Sequence, residues 1–103
     1  MNSIIEKNLN SIVELCKKHH VKELSVFGSA LTNKFDENSD VDFLYLFDLN
    51  KIEHLEYADN YFSFRSSLEQ VTGRTVDLVS QKDISNPVFK RMVEQSKVLL
   101  YAA

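Results

Sequence analysis

Apolar residues recur at positions 5, 9, 12, 13 and 16, lining one stripe of a helix predicted from Ser3 to about Lys18. Ser3 with Glu6 three residues later has the form of a capping box at its start. The pattern then changes. "ELSVF" (23–27) is a short strand-like run stopped by Gly28, and "VDFLYLF" (41–47) is a longer one rich in β-branched and aromatic residues. Between them, "SALTNKF" has room for one or two helical turns before the polar loop "DENS". From Ile52 to Val71 the helical period returns through Leu55, Ala58, Phe62 (or Tyr61), Phe64, Leu68 and Val71, and Gly73 supplies a stop. "TVDLVS" (75–80) reads as a third strand. Asn86 as cap and Pro87 at the first helical position open a last helix, whose apolar residues are Val88, Phe89, Met92 and Val93. "KVLLY" (97–101) is a candidate closing strand.

About 13 residues separate the first two strands, too few for a full crossover helix with both its loops. They are therefore expected to pair antiparallel in a small mixed sheet with helices packed on it, a fold of class α/β or α+β.

The apolar run 41–47 raises a chemical question, because Asp40 and Asp42 open it. Two residues apart on a strand, their side chains leave the same face. Facing water, their repulsion means little; facing a partly closed site, it has to be offset by protonation or by a cation. Asp77 sits among apolar neighbours in "TVDLVS", and points at the same volume should its strand neighbour that of Asp42. Three carboxylates converging there would suit Mg²⁺ or Mn²⁺. Gly28 lets another group approach the backbone closely, and Ser29 adds a hydroxyl donor. A helical start at "SALTNKF" would place N–H groups where a phosphate binds well. Taken singly, Gly-Ser is an ordinary turn, Asp-x-Asp a solvated edge and Asp77 an edge-strand charge; their combination in one small chain favours a triphosphate bridged by metal.

Composition narrows the setting. At 103 residues one domain is expected, and 44% hydrophobic with 26% charged residues is an ordinary soluble composition. A net charge of −3 argues against non-specific attraction to nucleic acid or anionic membrane. The single Cys16 cannot form an internal disulfide and falls on the first helix's apolar stripe, as core. No apolar stretch approaches the roughly 20 residues that span a bilayer. The N-terminal segment lacks the basic-then-apolar order of a signal peptide, so a cytoplasmic protein is expected. His19, His20 and His54 lack partners at metal-ligand spacing; His19 and His20 end the first helix, where partly cationic side chains suit the dipole. The crowded aromatics Tyr57, Tyr61, Phe62 and Phe64 read mostly as core, with any exposed subset a partner surface.

"FGSALTNKFDENSDVDFLYLF" followed by "TVDLVS" resembles the signature of the DNA polymerase β-like nucleotidyltransferases: an apolar strand, Gly-Ser, then Ser-Asp-x-Asp, and a later strand with the third carboxylate. The likeness covers about residues 21–101. The small size resembles the minimal nucleotidyltransferases (MNT) found as antitoxins beside helical HEPN-domain toxins. The resemblance implies a nucleotidyltransferase fold and transfer of a nucleoside monophosphate, AMP from ATP, to a tyrosine hydroxyl of such a partner. It implies that Gly28 and Ser29 hold the triphosphate, that Asp40 and Asp42 bind two metal ions, and that Asp77 completes the metal site and takes part in proton removal. One position departs. Many minimal members carry arginine soon after Gly-Ser, and here Thr32 stands in its place. Lys34, Arg65, Arg74, Lys82 and Arg91 are the candidate substitutes, and the alternative is an antitoxin of weak or no catalysis that masks its partner by binding. With Arg65 the one permanently basic residue of 52–71, a nucleic-acid acceptor fits less well.

Overall fold

The structure is a computed structural model and describes residues 2–103. The first amphipathic segment forms two helices, α1 (Ser3–Lys7) and α2 (Leu9–Lys18), in place of one. The break is at Asn8, whose side-chain amide donates to the Ile4 carbonyl at 2.8 Å and so competes with the helical backbone bond. The expected capping box is also displaced by one residue. Asn2 is the cap, accepting from the Ile4 N–H at 2.7 Å, and Ser3 is already helical.

Among the described residues four strands make one sheet in the order β3-β2-β1-β4, with β1 Val21–Phe27, β2 Val41–Phe47, β3 Val76–Ser80 and β4 Val98–Ala102. β1 pairs antiparallel with both β2 and β4, as the short β1–β2 connection requires. β2 and β3 run parallel, joined through α3 (Tyr57–Thr72). That helix starts five residues later than the predicted Ile52, because a bend and a 3-10 turn at His54–Glu56 take up the intervening chain. It ends as predicted at Gly73, which adopts a left-handed φ of 69° and donates to the Glu69 carbonyl at 2.8 Å. α4 (Pro87–Ser96) is capped by Asn86, whose side-chain oxygen accepts from the Val88 and Phe89 N–H groups at 2.9 and 3.1 Å.

The two sheet faces are covered unequally. On one, Leu24, Val26, Val41, Phe43, Tyr45, Val76 and Leu78 pack against Ile12 and Cys16 of α2 and Phe64 and Leu68 of α3. On the other, Phe27 and Leu44 meet Val93 of α4. Of the four apolar residues predicted for α4 only Val93 is buried; Val88 and Met92 are 68% and 62% exposed. Among the α3 aromatics Phe64 is fully buried, Tyr57 and Tyr61 are half-buried, and Phe62 is exposed. Among the described residues no helix is long and apolar enough to cross a membrane.

His19 departs from the expected cationic helix end. It is buried, and burial pushes its pKa below the ordinary imidazole value. Nδ1 lies 2.8 Å from the Leu15 carbonyl, which can only accept, so Nδ1 carries the proton. Nε2 then accepts from the Ser63 hydroxyl at 3.0 Å, tying α2 to α3 in the neutral form.

Two outcomes follow from these contacts. A Cβ at Gly73 meets no atom within 4 Å, so Gly73→Ala carries only the backbone cost of the left-handed conformation. It is expected to lower the unfolding free energy by about 1 kcal/mol in urea titration. For His19 the folded pKa lies below the unfolded one, so the unfolded chain takes up the proton first as pH falls. Stability is therefore lost on acidification through about pH 6.5, and His19→Gln should lose less than the wild type between neutral pH and pH of about 5.5.

Candidate functional site

The C-terminal end of β1 meets the N-terminal ends of β2 and β3. There the chain leaves β1 at Phe27, which is the register partner of Asp42, and turns at Gly28. Gly28 has a φ of 74°, and a Cβ placed on it would lie 2.3 Å from Asp42 Oδ2. No other residue fits without moving the carboxylate. The following segment is about one turn of 3-10 helix, Gly28–Leu31, the shorter of the one or two helical turns expected of "SALTNKF" and begun one residue earlier, at the glycine. Thr32 closes that turn: its N–H and its hydroxyl both donate to the Ser29 carbonyl at 3.0 Å, and its hydroxyl oxygen accepts from the Lys34 N–H at 3.2 Å. The Ser29 hydroxyl reaches the Asp40 carbonyl at 3.5 Å, the outer limit of a hydrogen bond.

Asp42 and Asp77 stand opposite each other in the parallel β2–β3 register, so both side chains leave the same sheet face. Asp42 is half-buried; Asp40 and Asp77 are exposed. The Asp42 carboxyl is pushed above the usual carboxylate range, first by burial and then by the negative charges of Asp77 and Asp40. All three predicted carboxylates are thus brought to one end of the sheet. Among the described residues no group of three or more His, Cys, Asp or Glu side chains closes into a metal-holding cluster. The donor chemistry nevertheless fits a hard divalent cation: carboxylate oxygens only, with mutual repulsion that a cation would relieve.

The loop before Asp40 is a compact turn. Asp36 Oδ1 accepts from the Asn38 N–H at 2.8 Å and the Ser39 hydroxyl at 3.1 Å, and the Asp36 carbonyl accepts from the Ser39 N–H at 3.1 Å. The Asn38 N–H and Ser39 hydroxyl bonds hold the Asp36 carboxyl below its ordinary pKa. The candidate arginines are differently engaged. Arg65 donates from Nε to the Val76 carbonyl at 3.1 Å, while Arg74 donates to the carbonyls of Ser39 and Asp36 and lies 4.4 Å over the Phe35 ring. Lys34, Lys82 and Arg91 are exposed. The Arg74–loop contact was missed as such from sequence, where only the Asp-x-x-Ser spacing of "DENS" marks the turn it grips. Cys16 is core as expected, and burial pushes its thiol up to about 12, which excludes thiolate chemistry near neutral pH.

The family model described as "Polymerase beta, Nucleotidyltransferase" matches residues 10–103. A Methanocaldococcus jannaschii protein assigned by name as a protein adenylyltransferase is 31% identical over 100 residues, spanning 89% of this chain and 97% of its own length. A second such protein from the same organism is 29% identical over 102 residues, with the same coverage of both chains. Among solved structures, one described as a minimal nucleotidyltransferase superposes with a TM-score of 0.74 at 24% identity, over 95% of both chains. A toxin–antitoxin structure with AMP-PNP gives 0.69 at 20% identity, over 93% of this chain and 74% of that one. A tri-AMPylated Shewanella oneidensis HEPN toxin in complex with its MNT antitoxin gives 0.63 at 18%, over 95% and 72%. At these identities the superpositions show a shared fold.

The raised pKa of Asp42 carries a sign that can be measured. Its folded pKa exceeds the unfolded one, so the ionised carboxylate disfavours folding at neutral pH and the protonated form does not. Asp42→Asn should therefore melt at a higher temperature than the wild type at about pH 7, and the gap should close as pH falls through about 4. Calorimetry at several pH values checks this; a variant less stable at neutral pH would contradict the electrostatic account.

Proposed function

Because the chain belongs to the Polymerase beta nucleotidyltransferase family, we propose that it transfers AMP from ATP to a hydroxyl group. The acceptor is a tyrosine of a small helical HEPN-type partner, and the modification neutralises that partner, making this chain an antitoxin acting in the cytoplasm. The observation that carries the reading is the in-register pair Asp42 and Asp77, with Gly28 pressed against Asp42 at a distance only glycine allows. The names of the M. jannaschii relatives and the AMPylated toxin complex support the choice of AMP and of a protein acceptor.

In this reading residues 1–103 act as one minimal catalytic domain, and the partner brings the acceptor surface. Asp40, Asp42 and Asp77 would hold two divalent ions, Mg²⁺ or Mn²⁺. When bound, these supply charge neutralisation for the triphosphate and for the attacking and leaving oxygens. Gly28 leaves room for a phosphate to approach the main chain, and the hydroxyl of Ser29 is a donor beside it. Asp77 lies exposed on the edge strand β3, open to an incoming hydroxyl, and accepts its proton. The tyrosine oxygen forms a bond to the α-phosphorus, the bond to the bridging oxygen breaks, and pyrophosphate leaves with the electron pair.

One observation favours a second reading. Both donors of Thr32 are spent on closing the Gly28–Leu31 turn, so the position occupied by arginine in many minimal members presents no cation here. A protein of weak or no activity that masks its partner by binding would tolerate this, and Val88 and Met92 of α4 offer exposed apolar surface for it.

The direct measurement uses α-labelled ATP, Mg²⁺ and the helical product of the adjacent gene. Label is expected on a partner tyrosine, and Asp42→Asn should reduce the rate by roughly 10²-fold or more. Absence of transfer by the wild type across several nucleotides removes the catalytic reading, and neutralisation by an Asp40→Asn/Asp42→Asn protein establishes masking instead.

A further inference from the structure

Asp40 lies outside β2, at the end of a polar loop, and is exposed. Its position is therefore inherited from the turn at 36–39. The hydrogen bonds within that turn give it a shape but do not attach it to the sheet. Two contacts flanking Asp40 do. On one side the Val41 N–H donates to the Thr75 carbonyl at 3.0 Å. On the other, Arg74 Nε and Nη2 donate to the Ser39 carbonyl at 3.2 and 2.9 Å, Nη2 also donates to the Asp36 carbonyl, and the guanidinium stacks 4.4 Å above Phe35.

The base from which Arg74 reaches is itself rigid. Gly73 caps α3, the Thr72 hydroxyl accepts from the Arg74 N–H at 3.3 Å, and Glu69 accepts from the Val76 N–H at 2.9 Å. Asp77, in β3, lies three residues after Arg74. A planar fork on this base grips two carbonyls and one ring at once, which a lysine ammonium does not.

We propose that Arg74 is a positioning residue of the transfer site: it clamps the 35–39 loop to the start of β3 and so sets where Asp40 stands relative to Asp42 and Asp77. The link to transfer rests on the reading that Asp40 serves that site; the clamp itself does not. It also reassigns Arg74, one of the candidate substitutes for the missing phosphate-binding arginine, from the triphosphate to the main chain.

The test compares wild type, Arg74→Lys, Arg74→Gln and Phe35→Leu by amide hydrogen exchange, without metal, nucleotide or partner. Both Arg74 variants should exchange roughly tenfold faster over residues 35–41, with 9–18 and 21–27 unchanged; Phe35→Leu should give a smaller rise in the same segment. Should an Arg74 variant fail to fold, Phe35→Leu still decides. In the transfer assay Arg74→Lys should lower kcat by roughly tenfold or more, while the directly measured Kd for ATP stays within about twofold. Unchanged exchange over 35–41 in the folded variants overturns the clamp, and weakened ATP binding with an unchanged loop makes Arg74 a phosphate ligand instead. A loosened loop with unaltered kcat overturns the positioning of Asp40. A wild type without transferase activity removes the function proposed above, and the exchange comparison still judges the clamp.

Discussion

Asp42 and Asp77 face each other across one strand spacing, about 4.8 Å in any sheet, and both project from the same face. Like charges so placed oppose the pairing that brings them together. What holds the strands in that register is the other face. Val41, Phe43 and Tyr45 of β2 and Val76 and Leu78 of β3 are all buried against α2 and α3. Burying each such side chain contributes about 1.5–3 kcal/mol, and a slip by one residue would turn the apolar set to solvent. The apolar face outweighs the carboxylate repulsion. The repulsion then remains at the sheet end, where protonation or a bound cation would relieve it.

Around that pair the rest of the site is built from connections. The short β1–β2 link returns the chain antiparallel, which sets Phe27 beside Asp42 and leaves Gly28 to turn away against the carboxylate. The longer path through α3 makes β3 parallel to β2, so the start of β3 lies next to the start of β2. Arg74, at that start, reaches the loop that delivers Asp40. Each of the three carboxylates thus arrives by a different route, and the strand register makes the routes meet.

The unequal cover of the two faces bears on how so small a chain works. α2 and α3 bury most of the apolar residues of one face, while α4 buries only Val93 over the face that carries Asp42 and Asp77. The open face leaves the carboxylate end accessible, and it leaves Val88 and Met92 in solvent. A fully covered sheet would be more stable but would leave no open space above the aspartates.

The strands were legible from the chain because their apolar runs are short, β-rich and cleanly bounded, and β2 matched residue for residue. The Gly73 stop and the Asn86-Pro87 start were legible because each rests on one residue's backbone chemistry. The short spacing between the first two strands also sufficed for their antiparallel pairing. The break at Asn8 and the late start of α3 were not, since an apolar period tolerates a turn that side-chain hydrogen bonds impose. The neutral His19 was hidden too, because its Ser63 partner lies 44 residues away and only packing of α2 on α3 brings them together. The residue types Gly-Ser, Asp-x-Asp and Asp77 were evident from the chain alone, since local patterning is written in sequence order. Their convergence was decided by tertiary structure: it depends on which strands are neighbours and in what register, a balance of burial over the whole sheet that no single stretch contains.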